Sequence, residues 1–294
     1  MVTSSCTDLS SFAERISSLY SQCKSDEVLI FRGHSDSKFV CLPGLLRNKD
    51  FDLTTDGDSE CFFAHKIMIE YPEEFNRKDH LSCLVKMQHY GLETRLLDFT
   101  RNPLIALYFA CNLGFNCDGS VIVFRLKINE IKHHSSDTVL CLSSLPFLSG
   151  KDKGELLRYC RWNCGKLLDE KSYLTNESIH HLYHEIRSQY PTFETEIKAD
   201  DLLTSFFVAA NKDNQRMKSQ NGLFAIFGLD KTISKKKVDK NIVETIVIPW
   251  YRKAAFLKML EHFGIDDTIV YPGLDRAAAK MYGKQFHLER IGEF

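Results

Sequence analysis

Apolar and polar positions along this chain follow two periods. Leu9, Phe12, Ile16, Leu19 and Tyr20 recur at helical spacing, and Asp8 or Ser10 is placed to cap that helix. Residues 28–31 form a continuous apolar run, as a strand inside a sheet does, and Gly33 ends it. Leu42-Pro43-Gly44-Leu45-Leu46-Arg47 reads as a turn. The acidic stretch 50–58 lacks any period and predicts an exposed loop. A helix that carries Phe62, Phe63, Ile67 and Ile69 is predicted over 59–71 and stopped by Pro72; Phe62 and Phe63 read as core. A polar connector at 73–80 leads to a helix over 81–90, closed by Gly91.

The pattern tightens after that point. Residues 96–100 predict a short strand or turn. Asn102-Pro103 opens a nearly all-apolar helix, because proline at the first helical position loses no hydrogen bond. Asp118-Gly119 marks a tight turn before a strand over 120–127. From 129 to about 190 the signal weakens into a polar, partly helical, His-rich region, expected to be an insertion or a helical flank. Residues 202–210 are apolar, with Phe206 and Phe207 as core. Strands are predicted over 221–227 and 242–249, a basic loop over 231–240, a helix over 252–263 ended by Gly264, and a last helix over 275–282.

Composition narrows the classes. The 294 residues suffice for one large domain, with 44% hydrophobic and 26% charged residues as in globular proteins. A formal net charge of −1 supplies no global field toward nucleic acid or an anionic membrane. No run of 18 apolar residues occurs, so no membrane helix is expected. The first twenty residues lack a basic region followed by an apolar core, so no secretory signal is read and the expected location is cytoplasmic. In a reducing compartment most of the ten cysteines are expected to be small buried hydrophobes. No cysteine spacing matches a metal site. His180-His181-Leu182-Tyr183-His184-Glu185 lacks the order that pairs two ligands with a base, so it reads as a solvated helix face, as Lys235–Lys237 reads as a solvated loop.

The stretch 88–110, QHYGLETRLLDFTRNPLIALYFA, carries the candidate chemistry. Gln, His, Tyr, Thr, Arg and Asp crowd its first half, and buried polar groups of this kind must be paired or used, because an unpaired one costs about 1–3 kcal/mol. Arg32, at the end of its strand, either reaches a cleft or pairs with Asp98 or Asp36. His89 either contacts a ligand or caps a helix C-terminus. Arg95 and Asp98 read first as a salt bridge holding the turn. Thr100 caps the following helix or faces a ligand. Gln220 is a loop hydrogen bonder or a site residue.

Four pieces together resemble the Phe-Arg-Gly (FRG) domain family: Phe31-Arg32-Gly33, the stretch 88–110 with its HYG, TRLLD, NPL and ALYFA, the segment 216–224, and Tyr271-Pro272-Gly273-Leu274-Asp275. The chain departs from the family pattern at Glu93, usually Pro, and at Tyr271, usually Phe. The likeness runs over about 25–285, with residues 1–24 as a preceding helix, 129–190 as an insertion and 286–294 as a tail. A more distant likeness is to arginine-type ADP-ribosyltransferases. Phe31-Arg32-Gly33 is similar to their opening aromatic-Arg-Gly strand, and Asp98-Phe99-Thr100 followed by Ala106-Leu107-Tyr108-Phe109-Ala110 to their strand-to-helix element.

The resemblance implies one α+β domain, a mixed, mostly antiparallel sheet flanked by helices. It implies an enzyme that cleaves NAD as substrate and transfers ADP-ribose to a nucleic acid or protein, in the context of a bacterial toxin or antiphage effector, with room for an inhibitory partner protein. Cleavage develops positive charge on the ribose, which calls for a carboxylate, and the diphosphate calls for an arginine. On this reading Arg32, His89, Asp98 and Gln220 are catalytic. Arg32, Gly33, His34, Gln88, His89, Tyr90, Thr94, Arg95 and Thr100 contact NAD. Gln220 stands where those transferases carry Glu, so Asp98 is the alternative source of charge. A non-catalytic module that binds nucleotide or nucleic acid through the same cleft is the second expectation. The third is an interaction scaffold whose polar motif only braces the fold.

Overall fold

The computed structural model describes residues 2–47, 51–76, 78–168, 170–194, 197–209 and 221–271. Its strands are β1 (Val2–Ser5), β2 (Glu27–His34), β3 (Leu96–Thr100), β4 (Gly119–Lys127), β5 (Ile131–His133), β6 (Leu167–Leu168), β7 (Ile197–Lys198), β8 (Phe206–Ala209), β9 (Gly222–Ile226) and β10 (Ile242–Ile248). Eight of them make one sheet in the order β1-β10-β4-β2-β3-β9-β8-β5, and β6 pairs with β7 separately. Inner neighbours are antiparallel, and the two edge pairs, β1 with β10 and β5 with β8, are parallel. The expected mixed, mostly antiparallel sheet flanked by helices is therefore present.

The helices are α1 (Leu9–Ser21), α2 (Thr55–Glu70), α3 (Pro72–Phe75), α4 (His80–His89), α5 (Pro103–Cys111), α6 (Asp137–Ser144), α7 (Gly150–Trp162), α8 (Glu170–Thr175), α9 (Glu177–Gln189), α10 (Ala199–Leu203), α11 (Lys231–Asp239), α12 (Lys253–His262) and α13 (Asp267–Val270). On one sheet face, α1, α5 and α12 bury Phe12, Ile16, Ala106, Ala110, Phe256 and Leu260 against Phe31, Val121, Val123 and Ile246. Beside them on that face, α4, α6, α7, α9 and α10 pack on Leu96, Val208, Phe224 and Ile226. The other face buries Ile30, Phe99, Phe124, Leu223 and Phe227 under Cys41, Leu42, Leu46 and Val238 of α11.

Several expectations change. The stretch read as an acidic loop begins α2, because Asp56 and Asp58 sit in its first turn, where the helix dipole favours negative charge. The polar connector contains α3, started by Pro72 at a first helical position. The basic loop is α11, whose N-cap Asp230 accepts from Thr232 and Ile233 N–H, and whose buried face is only Ser234 and Val238. Phe62 and Phe63 are not core: both are exposed on α2. Phe207 is buried and Phe206 only partly. The region 129–190 is helical as expected, but its inward side is apolar and builds the larger helical core, with Leu142, Leu156, Leu182, Tyr183 and Ile186 buried. β1 is an addition that no periodicity announced. The predicted helix over 275–282, residues 272–275 and 210–220 lie outside the described residues.

Candidate functional site

The site is made where the sheet parts. β2 pairs with β4 at eight positions and β3 with β9 at five, yet β2 and β3 meet only at Phe31 opposite Thr100. Backbone groups left by such a parting must find other partners. Arg32 supplies one: its Nη1 donates to the Asp98 carbonyl at 2.6 Å and to the Asp98 carboxylate at 3.2 Å. The opening is a cleft of about 110 Å³ lined by Arg32, Gly33, Asp98, Phe99, Thr100 and Phe109. The Arg32 side chain is 11% exposed, while that of Asp98 is 50% exposed.

Each member is held by its element. Gln88, at the end of α4, donates through Nε2 to Asp98 Oδ1 and accepts at Oε1 from Thr94 Oγ1 at 2.7 Å. Thr94 in turn accepts from Leu96 N–H at 3.2 Å, fixing the start of β3. Arg32 Nε donates to His34 Nε2 at 3.1 Å. His34 is buried, and that burial, then the charges of Arg32 and Arg47, push its pKa down to about 3. The ring is therefore neutral at physiological pH, with its proton on Nδ1, and acts as an acceptor that aims the guanidinium. Among the described residues Arg32 Nη2 has no hydrogen-bond partner, so one edge of the fork remains for a ligand.

Gly33 has a packing reason for being glycine. A Cβ there would overlap the Ala106 carbonyl oxygen and come within 2.7 Å of Phe109 Cβ and 2.8 Å of Ala110 N. A Cβ on Gly119 would likewise overlap the Ala110 carbonyl. The Phe-Arg-Gly and Ala-Leu-Tyr-Phe-Ala pieces are thus two sides of one close contact, α5 lying directly on β2 and β4. Asn102 caps α5 by accepting from Leu104 N–H at 3.0 Å, and Thr100 holds that cap by accepting from Asn102 N–H at 3.0 Å. Thr100 is therefore not the cap itself; it braces the cap and lines the cleft.

Other candidates separate from this group. Arg95 is fully buried and faces Glu60, not Asp98: Nε and Nη2 bind the two Glu60 oxygens at 2.8 and 2.6 Å, and Nη1 reaches the Phe227 and Gly228 carbonyls. With every edge of its fork occupied inside the protein, Arg95 has a structural role and cannot contact NAD in this arrangement. The expected Arg95–Asp98 bridge is replaced by Arg32–Asp98. His89 is half-buried at the C-terminus of α4 with its ring 5.1 Å from that of Tyr90, which is exposed; neither lines the cleft. Gln220 lies outside the described residues. The His180–Glu185 segment lies on α9 with His181 Nδ1 3.0 Å from Asp152, and no metal-holding cluster occurs among the described residues.

Arg47 stands near this group as well. It follows the turn Gly44–Leu46, donates from Nε to the Leu42 carbonyl at 3.2 Å, and its pKa is lowered by burial and then by repulsion from Arg32. A lone basic residue ending a turn carries no sequence signal for this placement. The charges of Arg47 and Arg32 together favour an anion at the cleft.

Residues 27–116 match the FRG domain. Over these residues, under a third of its length, the chain is similar to the FRG domain. Every cleft side chain described above falls inside that match, from Phe31 in β2 to Phe109 in α5, so the matched region contains the parted strands and the helix that rests on them. No curated protein and no solved structure matches the chain. No helix among the described residues is long and apolar enough to cross a membrane.

Proposed function

We propose that the cleft between β2 and β3 binds NAD and transfers its ADP-ribose to an acceptor group on a nucleic acid or protein. One observation carries the reading: a sunken guanidinium, Arg32, and a half-exposed carboxylate, Asp98, meet in a single cleft between parted strands. Arg32, oriented by neutral His34, takes the diphosphate through its remaining edge. Asp98, oriented by Gln88, faces the ribose and stabilises the positive charge that grows there. The bond between ribose C1′ and the nicotinamide nitrogen breaks with its electron pair going to that nitrogen. A lone pair of the acceptor forms the new bond to C1′, and the acceptor's proton leaves through the Asp98 carboxylate to solvent.

A second reading, binding without cleavage, is favoured by a separate observation. Asp98 already holds Arg32 and Gln88, so part of its charge is spent. One experiment decides between them. The protein, Arg32→Ala and Asp98→Asn are incubated with labelled NAD and mixed RNA, DNA and protein acceptors. Nicotinamide release and label transfer are expected from the wild type, falling at least about 100-fold in Asp98→Asn with NAD still bound. Arg32→Ala is expected to lose NAD binding. Binding without nicotinamide release selects the second reading, and neither binding nor release overturns both.

A further inference from the structure

A second, larger cavity of about 420 Å³ has Thr94, the hydrogen-bond partner of Gln88, in its wall. Its size falls in the range of small-molecule sites. Its apolar walls are Phe51, Phe63, Leu84, Met87 and Leu92, and its polar groups include Thr94 and the carboxylates of Asp56, Glu60 and Glu93. Phe63 remains 52% exposed beside this space, although α2 has a core to pack on.

The charges decide what fits. Glu60 is fully compensated, at 2.6 Å from Arg95 and 2.8 Å from Lys153. Asp56 accepts from Asp52 N–H at 2.7 Å and Glu93 lies within electrostatic reach of Arg47, and no lysine or arginine among the described residues lines the cavity itself. Aromatic and thioether walls with carboxylates and no cation in the lining suit a flat cation, which gains from ring faces and from the negative groups together. The same site repels a flat anion of equal size.

Position adds the second half of the argument. Thr94 is in the cavity wall and bonds Gln88, which bonds Asp98 in the Arg32 cleft, so the two spaces are two hydrogen bonds apart. We infer that this cavity receives the cationic pyridinium ring of the substrate while Arg32 holds the phosphates, an assignment that rests on the NAD reading above. The carboxamide of that ring then has Glu93 and Thr94 as hydrogen-bond partners. Cleavage would turn the ring neutral and remove the attraction that seated it.

The test separates the two spaces. Binding of 1-methylnicotinamide (a cation), nicotinic acid (an anion) and ADP-ribose (no pyridinium ring) is followed by ligand-observed NMR for the wild type, Phe63→Ala, Glu93→Gln and Arg32→Ala. Phe63 and Glu93 are exposed, so these variants are expected to melt with the wild type. The wild type is expected to bind 1-methylnicotinamide and not nicotinic acid, and Phe63→Ala and Glu93→Gln are each expected to weaken the cation about tenfold. ADP-ribose affinity should be unchanged in those two variants and lost in Arg32→Ala. No binding of 1-methylnicotinamide, equal binding of nicotinic acid, or indifference to both cavity variants overturns the cavity assignment. Loss of only the ADP-ribose result, with the cation still bound as expected, overturns the NAD reading at Arg32 and leaves the cavity as a cation site.

Discussion

The guanidinium of Arg32 is useful only if something points it. His34 does this two residues along the same strand, and it can do so only while neutral. Its pKa of about 3 follows from burial and from two neighbouring arginines, so the Arg32–His34 hydrogen bond persists through the physiological range. The sign of the stability effect follows. Between the ordinary value near 6.5 and about 3, the unfolded chain binds a proton at this histidine and the folded chain does not. Stability therefore falls as pH drops through that window, by at most about 1.4 kcal/mol per pH unit from this one group. His34→Gln keeps an acceptor for Arg32 and removes the titration. Urea unfolding followed from pH 7 to pH 4 is expected to show a shallower acid slope in His34→Gln than in the wild type, while affinity for ADP-ribose stays flat over pH 6–8 in both. An inflection of wild-type affinity near 6.5 assigned to His34 by NMR would show that the ring titrates normally and does not serve as the acceptor.

At the scale of elements, the site is a consequence of how closely α5 sits on the sheet. Gly33 and Gly119 remove two side chains, and Ala106 and Ala110 keep the helix side small, so backbone meets backbone. Gly33→Ala would drive a methyl group into the Ala106 carbonyl and Phe109 Cβ. Overpacking of this sort costs about 1–3 kcal/mol, and a rigid backbone partner puts it at the upper end. Gly91→Ala is a useful contrast: its φ of +90° strains a side chain, but nothing lies within 4 Å. Thermal melts are expected to place Gly33→Ala well below Gly91→Ala, with NAD binding lost in the former because Arg32 is its neighbour. Equal melting of the two would mean α5 moves freely away from β2.

Much of this level could be read from the chain. Asp8 caps α1 by accepting from Ser11 N–H, Asn102-Pro103 starts α5, and Gly264, at φ +74°, follows α12, all from local rules. Arg32, Asp98 and Thr100 were legible as candidates because polar residues stood beside apolar runs. What escaped was set by distant partners. Local rules pair Arg95 with Asp98, three residues away, because Glu60 lies 35 positions off and nothing local connects them. The start of α2 was hidden because its acidic first turn looks like a loop until the helix behind it is known. Phe63 looks like core because an aromatic at helical spacing usually is, yet it stays exposed at the edge of the larger cavity.

Across the whole molecule, one buried ionic cluster joins the sheet to the helical layer. Glu60 comes from α2, Arg95 from the start of β3 and Lys153 from α7. Arg95 also binds the Phe227 and Gly228 carbonyls beyond β9, and Lys153 binds the Gly57 and Pro146 carbonyls. Burial alone would raise the Glu60 pKa, but Arg95 and Lys153 outweigh it and hold the carboxyl at about 2. Because the folded value lies below the ordinary 4.5, this group stabilises the fold fully above that pH and loses its contribution as pH falls toward 2. The size of the shift corresponds to about 3 kcal/mol. Glu60→Gln leaves two cations buried without their counter-charge, which costs about 3–5 kcal/mol. Lys153→Met leaves the bidentate Arg95–Glu60 pair intact and removes a lysine whose own pKa burial already lowers. Chemical unfolding at pH 7 should therefore rank wild type above Lys153→Met and Lys153→Met above Glu60→Gln, and only Glu60→Gln should lose the acid-sensitive component between pH 4.5 and 2. Because Glu60 also lines the larger cavity, the same variant tests whether that wall is built by the cluster. A folded Glu60→Gln protein that binds ADP-ribose normally but 1-methylnicotinamide weakly would place the cluster's influence on the cavity alone, whereas loss of both ligands together would show that it holds β3, and with it Asp98, in register.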